Sequence, residues 1–525
     1  MDKIPTCGYF LLCKNEILKQ FIVKIYIFTI KMFSYALLLS KMKPRTFIMK
    51  NKQLLILIPS LLISLVGCKS SGKKNQEAFD DKSADYYSKV ELRNAFNKES
   101  ELNFDDEITN GLDDKVWNTL DGYWENGGTT PHNGVRRRNI FYTKDGKGNG
   151  YVALKARGLY NQEDPAMKGK PEGSCIETKK SLGPGRYEVY MAAMPREGGV
   201  TAMWTYKCES SEDVSQNEID IEIGGGGQYT NLWCTSWTKK TNKATNSPDI
   251  SDICYMNDGK IHKYTFDWYT NYNDSNSGRV DWFIDEQFVQ SLSGGTITDI
   301  DMPIWLGVWM PSWAGDAKWV EDFILVDRVS YTAFDENQYY QSKRAYNTYS
   351  PKDPSNSDIK TVDFASITSK LNKLSNPSFE TTESFVAGDD YGWVNFDSEV
   401  FHGTSSFVND ASEGNYAYKI TAGDQAEDND GYFYQRISCS YEGFEYHLDI
   451  DAKLASADSE AEILIWQRNR AGLGNIKQER IPLSSTTYQT LSKDITMAKD
   501  AGALDIFLHV SKGSAIFDNA KLFKK

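Results

Sequence analysis

The chain has 525 residues, of which 40% are hydrophobic and 25% are charged, a composition typical of globular domains and not of a disordered chain. Its formal charge is −13, and it becomes −21 without residues 1–68, which hold ten Lys and Arg but two Asp and Glu. A surface this acidic excludes nucleic acid as a partner, since phosphate binding needs basic residues.

Residues 1–68 predict a targeting segment. Basic residues within 49–52 precede an apolar run at 54–66, and Leu-Val-Gly-Cys follows at 65–68. A basic start, a short apolar run and a small-residue site are typical of secretory signals. The ending resembles a bacterial lipobox, which implies that Cys68 becomes a lipidated N-terminus. An ordinary signal peptide with an incidental cysteine is the alternative.

This interpretation predicts export to the bacterial cell envelope, with a lipid anchor on Cys68 at the outer membrane or cell surface. We expect translation to start at Met49 or Met42, and an extra anchor within residues 1–48 is the alternative. Residues 69–102 begin with a polar stretch rich in Gly, Ser and Lys and are predicted to be a flexible tether.

Residues 103–340 have the pattern of a β domain. Short aromatic and β-branched runs, such as 150–155 and 186–191, alternate with turns rich in Gly, Asn and Asp. Strands at this spacing predict a sandwich or jelly roll. Eleven of the 13 Trp lie between Trp117 and Trp319, so some of them are expected to line a sugar-binding cleft instead of the core.

A second, smaller β-sandwich is predicted at 376–525, where 446–452 and 461–466 alternate in polarity. Pro, Ser, Asn and Asp cluster at 350–357, which marks 341–375 as a linker. At ~150 residues the second domain can bury a core of its own.

Five cysteines follow residue 68: Cys175, Cys208, Cys234, Cys254 and Cys439. They include no C-x-x-C pair, which argues against a zinc site or a redox motif. We expect mostly free, buried thiols, with one disulfide as the alternative.

Acidic and Ile residues alternate without a break at 217–223, Asn-Glu-Ile-Asp-Ile-Glu-Ile. Because side chains alternate faces in a strand, Glu218, Asp220 and Glu222 should share one face, with the Ile residues in the core. Three carboxylates on one face repel each other, which indicates a function for them. Stacked carboxylates can bind a hard cation, and paired carboxylates are the machinery of glycosidases. A solvated strand face is the alternative without a function.

The Glu-Ile-Asp-Ile-Glu sequence resembles the E-x-D-x-E signature of glycoside hydrolase family 16, in its form without a bulge residue. Segments at 185–189, 198–204, 262–268, 280–285 and 309–315 resemble other family segments in order and spacing. The resemblance covers roughly residues 103–335.

The resemblance implies a concanavalin-like β-jelly-roll sandwich that cuts β-linked glycans internally with retention of configuration. It implies Glu218 as nucleophile, Glu222 as general acid/base and Asp220 as the residue that orients the nucleophile. Proximity of like charges raises the pKa of one carboxyl group, which suits an acid catalyst. No cofactor is expected for catalysis.

The sequence leaves the glycan open. We favour a β-galactan such as β-1,3-galactan, because the amino-acid sequence around the motif departs from that of typical mixed-linkage glucanases. An endo-β-1,3/1,4-glucanase and a sulfated-galactan (agar or porphyran) hydrolase are alternatives. So are a transglycosylase and a non-catalytic surface glycan-binding lipoprotein.

Candidate sugar-binding residues are aromatic or His side chains in or beside these motif and loop segments. They are Trp124, His132, Trp204, Trp233, Trp237, His262 and Trp313. Core packing or an ordinary surface position is the alternative for each. Trp268 and Trp282 lie in alternating strands and are predicted to be core.

The C-terminal domain opens with Asn-Pro-Ser-Phe-Glu at 376–380 and closes with Asp-Asn-Ala-Lys-Leu at 518–522. These ends resemble those of jelly-roll carbohydrate-binding modules, which implies a structural calcium ion held by Glu380 and Asp518. Trp393, Tyr432, Tyr434 and Trp466 are its candidate sugar-binding aromatics, and a spacer domain that binds nothing is the alternative. A monomer is expected.

Overall fold

The structure is a computed structural model. It describes residues 96–525 except 123–133, 161–168, 195, 209–215, 225–229, 240–241, 275, 277, 337–339, 342–354, 369–370, 386–390, 397–399 and 425–428. The predicted targeting segment with Cys68, the tether up to residue 95, Trp124 and His132 lie outside the described residues. Across the ranges just given, no helix has the length and apolar character needed to cross a membrane.

The first part of the chain forms seventeen strands within the described residues. They are β1 (Phe104–Asp106), β2 (Trp117–Thr119), β3 (Gly134–Val135), β4 (Ile140–Lys144), β5 (Gly150–Arg157), β6 (Glu172–Thr178), β7 (Gly185–Ala192), β8 (Val200–Cys208), β9 (Gln216–Ile223), β10 (Leu232–Lys239), β11 (Asn242–Asn246), β12 (His262–Asn271), β13 (Arg279–Ile284), β14 (Gln287–Ser293), β15 (Ile304–Trp309), β16 (Glu321–Ala333) and β17 (Tyr340–Gln341).

These strands form two packed antiparallel layers. The front sheet has the order β2-β6-β15-β8-β9-β10-β11. The back sheet has the order β4-β5-β16-β7-β12-β13-β14, and β1 pairs with the second half of β16. The sheets join at one edge, where Arg157 of β5 pairs with Glu172 of β6.

Apolar side chains of both sheets fill the space between the layers. Ile219 and Ile221 of β9 have no exposed surface and belong to the same core cluster as Phe266 of β12 and Trp282 of β13. Each such side chain stabilises the fold by roughly 1.5–3 kcal/mol. Trp268 and Trp282 are fully buried, as predicted.

The C-terminal part forms a second sandwich of ten strands. They are β18 (Val394–Asn395), β19 (Thr404–Val408), β20 (Ala417–Thr421), β21 (Gly431–Ser438), β22 (Glu445–Leu454), β23 (Glu460–Asn469), β24 (Asn475–Pro482), β25 (Gln489–Thr496), β26 (Ala501–Lys512) and β27 (Ser514–Lys524). One sheet has the order β18-β21-β26-β23-β24, and the other has the order β19-β20-β27-β22-β25. The prediction of an all-β chain with two sandwiches is confirmed.

Helical structure among the described residues is limited to short segments between strands. They are α1 (Phe364–Thr368) and 3-10 turns at Arg137–Asn139, Ser312–Ala314 and Asn356–Asp358.

The described part of the predicted linker is fastened to the first sandwich. Asn356 donates from its side-chain amide to the carbonyl of Trp117 at 3.1 Å. Further along, the carboxylate of Asp322 accepts from Arg196 at 2.8 Å and from Lys373 at 3.0 Å. These buried contacts hold the start of the second sandwich against the first.

Candidate active site

The three acidic residues share one face of β9, as their alternation predicts. Ile219, Ile221 and Ile223 point into the core and are at most 1% exposed. Glu218, Asp220 and Glu222 therefore lie on the opposite face of the front sheet, which we call the acidic face. Pairing of β9 with β8 and β10 runs without a register shift, so the motif has no bulge.

Strand register determines the neighbours of Asp220, because directly opposed residues of paired strands point to the same face. Asp220 is opposite Trp204 of β8 and Thr235 of β10. Trp204 is in turn opposite Trp305 of β15, with ring centroids 5.6 Å apart. A row of aromatic rings thus extends sideways from the central carboxyl group.

Glu218 lies between two further aromatic side chains, Tyr206 of β8 and Trp237 of β10. The side-chain amide of Gln216 donates to its carboxylate. Lys243 of β11 lies over the Trp237 ring, 4.6 Å from the centroid, and its charge counteracts the rise in the pKa of Glu218. The hydrogen bond from Gln216 and the positive charge of Lys243 favour the ionised form of Glu218.

Asp220 is 3% exposed and lies between two other acids. Burial, with the charges of Glu218 and Glu222, raises its pKa well above the ordinary value. Asp220 therefore keeps its proton and donates it in a hydrogen bond to the carboxylate of Glu218. Trp237 donates in turn to Asp220. This chain fixes the orientation of Glu218.

Burial raises the pKa of both glutamates. Burial raises the pKa of Glu218 to about 7, although hydrogen bonds from Gln216 and Asp220 oppose the rise. Burial and the nearby charge of Glu218 raise the pKa of Glu222 to about 8. Near neutral pH, one glutamate can be ionised while the other is protonated, which is the state a retaining glycosidase needs.

Glu218, Asp220 and Glu222 together are called the triad, and aromatic rings also surround its Glu222 end. Trp233 of β10 is opposite Glu222, and Gly224 leaves room for its ring, since a Cβ there would lie 3.2 Å from it. Trp313, which is 40% exposed, lies 5.0 Å from Trp233 and 6.1 Å from Trp309 between ring centroids. Flat apolar rings beside paired carboxyl groups suit the faces of sugar rings.

A cavity of about 720 Å³ lies elsewhere, at the junction of the two sandwiches, where Arg196, Lys373 and Tyr434 contribute to its lining. The three acidic residues are not part of that lining. We place the candidate site on the acidic face, because the perturbed carboxyl groups and the exposed rings coincide there.

Family comparisons agree with this geometry. A model of glycosyl hydrolases family 16 matches residues 142–329, and a model of a carbohydrate binding domain matches residues 371–515. Residues 142–329 are a family 16 glycosyl hydrolase domain. The acidic face belongs to this domain.

A xylanase/beta-glucanase of Ruminococcus flavefaciens is 28% identical to the chain over 156 residues, which are 29% of this chain. The match spans 18% of that relative's length, so most of the relative has no counterpart in the alignment.

Solved structures similar to the chain include two glucanases and a laminarinase. The first is a β-glucanase of Bacillus licheniformis (TM-score 0.34, 20% identity, 44% of this chain and 97% of that one). The second is a family 16 endo-glucanase of Bacteroides ovatus (TM-score 0.34, 17% identity, 43% of this chain and 99% of that one). The third is the laminarinase catalytic domain of Thermotoga maritima (TM-score 0.32, 17% identity, 45% of this chain and 98% of that one).

The family 16 domain holds four of the predicted sugar-binding residues on or beside the acidic face: Trp204, Trp233, Trp237 and Trp313. Sequence reasoning missed Trp305, Trp309 and Glu177, which register places on the same face of the front sheet. The signal was the alternation at 304–309, Ile-Trp-Leu-Gly-Val-Trp.

His262 is not brought to the triad. It begins β12 in the back sheet, whereas Glu218 lies in the front sheet. Its ring bonds to Asp285 at 2.7 Å and to Asp258 at 3.2 Å. These bonds, with one to Cys254, raise the pKa of His262 to about 11. Its predicted contact with substrate has no support in this position.

Glu380 and Asp518 both hold one loop of the second sandwich. Asp518 accepts from the backbone N–H groups of Ser412 at 2.7 Å and Glu413 at 3.0 Å. Glu380 accepts from the N–H of Asn415 at 2.7 Å. Since their oxygens already accept hydrogen bonds, the arrangement fits loop anchoring, and calcium binding stays a prediction.

The second sandwich carries an aromatic patch on the outer face of its first sheet, formed by Phe396, Tyr432, Tyr434, Trp466 and Phe507. The rings of Trp466 and Phe507 are 4.4 Å apart, and Phe396 is 38% exposed. Three of the four aromatics predicted there thus belong to one patch.

The fourth predicted aromatic of the second sandwich, Trp393, is fully buried against Phe379 with ring centroids 5.7 Å apart. Trp393 is therefore part of the core and not of a sugar site.

Proposed function

We propose that the chain is a retaining, endo-acting β-glycanase. The observation that carries this proposal is the placement of three carboxyl groups, Glu218, Asp220 and Glu222, on one face of β9 among the aromatic side chains of β8 and β10. Aromatic rings flank both glutamates, which favours binding of a glycan on both sides of the cut bond.

In the first step, a carboxylate oxygen of Glu218 attacks the anomeric carbon. The bond from that carbon to the leaving oxygen breaks, and Glu222 gives its proton to the leaving oxygen. In the second step, Glu222, now ionised, takes a proton from water while the water oxygen attacks the anomeric carbon and releases Glu218. Asp220 keeps the nucleophile oriented throughout by its hydrogen bond.

For the substrate, the similarity to the xylanase/beta-glucanase of Ruminococcus flavefaciens favours a β-glucan. β-1,3-Galactan, the preference from sequence, is the second candidate, and sulfated galactans are a third. All are β-linked polysaccharides that present flat sugar faces to aromatic rings.

The test is a panel of β-glucans, xyloglucan, β-1,3-galactan, agar and porphyran, with products separated by chromatography. A ladder of oligosaccharides from one polymer supports endo-hydrolysis and names the glycan. Glu218→Gln should abolish the ladder and leave binding intact. Glu286→Gln, an exposed carboxylate of the back sheet, is the matched control and should keep full activity.

Other outcomes overturn the proposal. Unchanged products from Glu218→Gln would contradict the assignment of the nucleophile. Transfer of the intermediate to a second glycan would identify a transglycosylase. Binding without cleavage across the panel, with an intact fold, would support the glycan-binding lipoprotein.

We further propose that the second sandwich binds polysaccharide through its aromatic patch. Trp466→Ala should weaken retention of the chain in polysaccharide affinity gels about tenfold and leave hydrolysis of soluble oligosaccharides unchanged. Leu473→Ala, which removes a side chain that is 84% exposed in the same sandwich, is the control. Equal retention of the two variants would contradict the proposal.

Finally, we propose that the protein is exported and anchored as a monomer through a lipid on Cys68. Cys68→Ala should move the protein from the membrane fraction to the soluble fraction. Membrane association that survives this substitution would contradict the anchor.

A further inference from the structure

Three side chains with metal-binding atoms meet at one end of the back sheet, far in sequence from the acidic motif. They are Cys254 in the loop before β12, His262 at the start of β12 and Asp285 in the turn after β13. One ligand atom from each lies within 4.8 Å of the others. Thiolate, imidazole and carboxylate form a mixed donor set of the kind that zinc prefers.

The backbone holds Asp285 in position. Its N–H donates to the carbonyl of Lys263, and one carboxylate oxygen accepts from the N–H of Lys263, both at 2.9 Å. Asp285 also has a φ of +48°, a conformation that non-glycine residues adopt rarely. The turn therefore directs its second carboxylate oxygen at the imidazole of His262, 2.7 Å from Nδ1.

The imidazole ring is oriented from its other side. Asp258 lies 3.2 Å from Nε2 of His262, and the N–H of Lys260 donates to that same carboxylate at 2.9 Å. A carboxylate behind a ligating histidine fixes the tautomer and the ring orientation in metal sites. Cys254, His262 and Asp285 thus offer three ligand atoms, and Asp258 offers the carboxylate that orients the imidazole of His262.

We propose that Cys254, His262 and Asp285 bind a divalent transition metal ion of the zinc class, with Asp258 orienting the imidazole. Binding would remove the proton of the Cys254 thiol and the Nδ1 proton of His262, so that both become ligands. Three protein ligands leave a fourth tetrahedral position, which water can take because the Asp285 side chain is 39% exposed.

The site bears on the contact between the two sandwiches. Tyr255, the neighbour of the proposed ligand Cys254, stacks on Tyr441 of the second sandwich with centroids 4.5 Å apart. Arg470 of the second sandwich lies over the Tyr255 ring at 4.8 Å. A metal ion that binds the loop to β12 and β13 would therefore stabilise the docking of the second sandwich.

The test is titration of the full chain with Zn²⁺ and, as a spectroscopic probe, Co²⁺. We expect one equivalent to bind, with a thiolate-to-cobalt charge-transfer band and visible bands of tetrahedral intensity. Cys254→Ser should remove the charge-transfer band, and Asp258→Asn should weaken Zn²⁺ affinity about 10–100-fold. Cys439→Ser, a free thiol outside the cluster, is the matched control and should bind as the parent does.

Asp285→Asn separates loss of metal binding from loss of the fold. This nearly isosteric change in an exposed turn should weaken Zn²⁺ binding and preserve the circular dichroism spectrum. Absence of the cobalt band in the parent would overturn the proposal and leave His262 as an imidazolium held by carboxylates. A band that survives Cys254→Ser would overturn it too, since the thiolate would then come from another cysteine. Both readouts are independent of glycan hydrolysis.

Discussion

The indole nitrogen of Trp282 donates a hydrogen bond to the backbone carbonyl of Asp220 at 3.0 Å. Trp282 belongs to β13 of the back sheet and is fully buried, whereas the Asp220 side chain is on the acidic face of the front sheet. The bond therefore crosses the sandwich and holds the central residue of the triad from behind.

Trp282→Phe keeps the aromatic packing and removes this donor. We expect a loss of about 1 kcal/mol in the free energy of unfolding, the usual effect of one buried hydrogen bond, and a fall in kcat. Trp268→Phe is the control, because Trp268 makes an equivalent bond to the carbonyl of Thr298 at 3.1 Å. Urea unfolding and kcat together check the prediction. Equal kcat in the two variants would rule out a positioning role for Trp282.

Substitution of Glu222 tests its role as general acid/base. Glu222→Ala should lower kcat on polysaccharide by about 10²–10⁴, the usual contribution of such a group. Substrates with an activated leaving group need no proton, so their first step should persist in the variant. Added azide should then restore turnover and give a product of retained configuration. Inverted azide product would instead assign Glu222 as the nucleophile.

The pH dependence of kcat/KM should be bell-shaped with a maximum near pH 7–8. Activity requires Glu218 ionised and Glu222 protonated, and their pKa values are raised to about 7 and about 8. Activity should fall in acid as Glu218 gains a proton and in alkali as Glu222 loses one. The two apparent pKa values from this profile belong to the coupled carboxyl groups of Glu218, Asp220 and Glu222 together. An optimum near pH 4–5 would show that the folded protein does not raise these pKa values.

Trp313 should act as a sugar platform beside Glu222. Trp313→Ala should raise KM about fivefold with a smaller change in kcat, because a stacked ring contributes roughly 1 kcal/mol. Tyr272→Ala, which removes an exposed ring in the β12–β13 connection, is the control and should leave KM unchanged. Steady-state kinetics on the cleaved glycan measures both, and an unchanged KM for Trp313→Ala would place substrate elsewhere.

The grouping of the triad was predictable because it depends only on alternation within one strand. Glu218, Asp220 and Glu222 are on one face wherever β9 lies in the fold. The position of His262 was not predictable in this way, because membership of the back sheet depends on pairing with β7 and β13, which are distant in sequence. The alternation at 304–309 gave a local signal for Trp305, but its place beside Trp204 follows from register between strands that are distant in sequence.

The cluster of Cys254, His262 and Asp285 shows the same limit. The absence of C-x-x-C pairs argued against a zinc site, but a cluster of metal-binding atoms can be assembled from a loop, a strand and a turn without a local motif. Only the fold brings such atoms together. The buried position of Trp393 likewise follows from the core of the second sandwich and not from its neighbours in sequence.

The raised pKa of Glu222 should also make the free energy of unfolding depend on pH. An unfolded Glu222 ionises near its ordinary value of 4.5, whereas the folded group keeps its proton until about pH 8. The unfolded state thus binds fewer protons in this window, and stability falls as pH rises through it. Glu222→Gln removes this cost, so the free energy of unfolding of the variant should exceed that of the parent by on the order of 4 kcal/mol at pH 8 and match it near pH 4. Chemical denaturation at both pH values measures the difference, and a gap that is equal at pH 4 and pH 8 would show that ionisation of Glu222 is not its source.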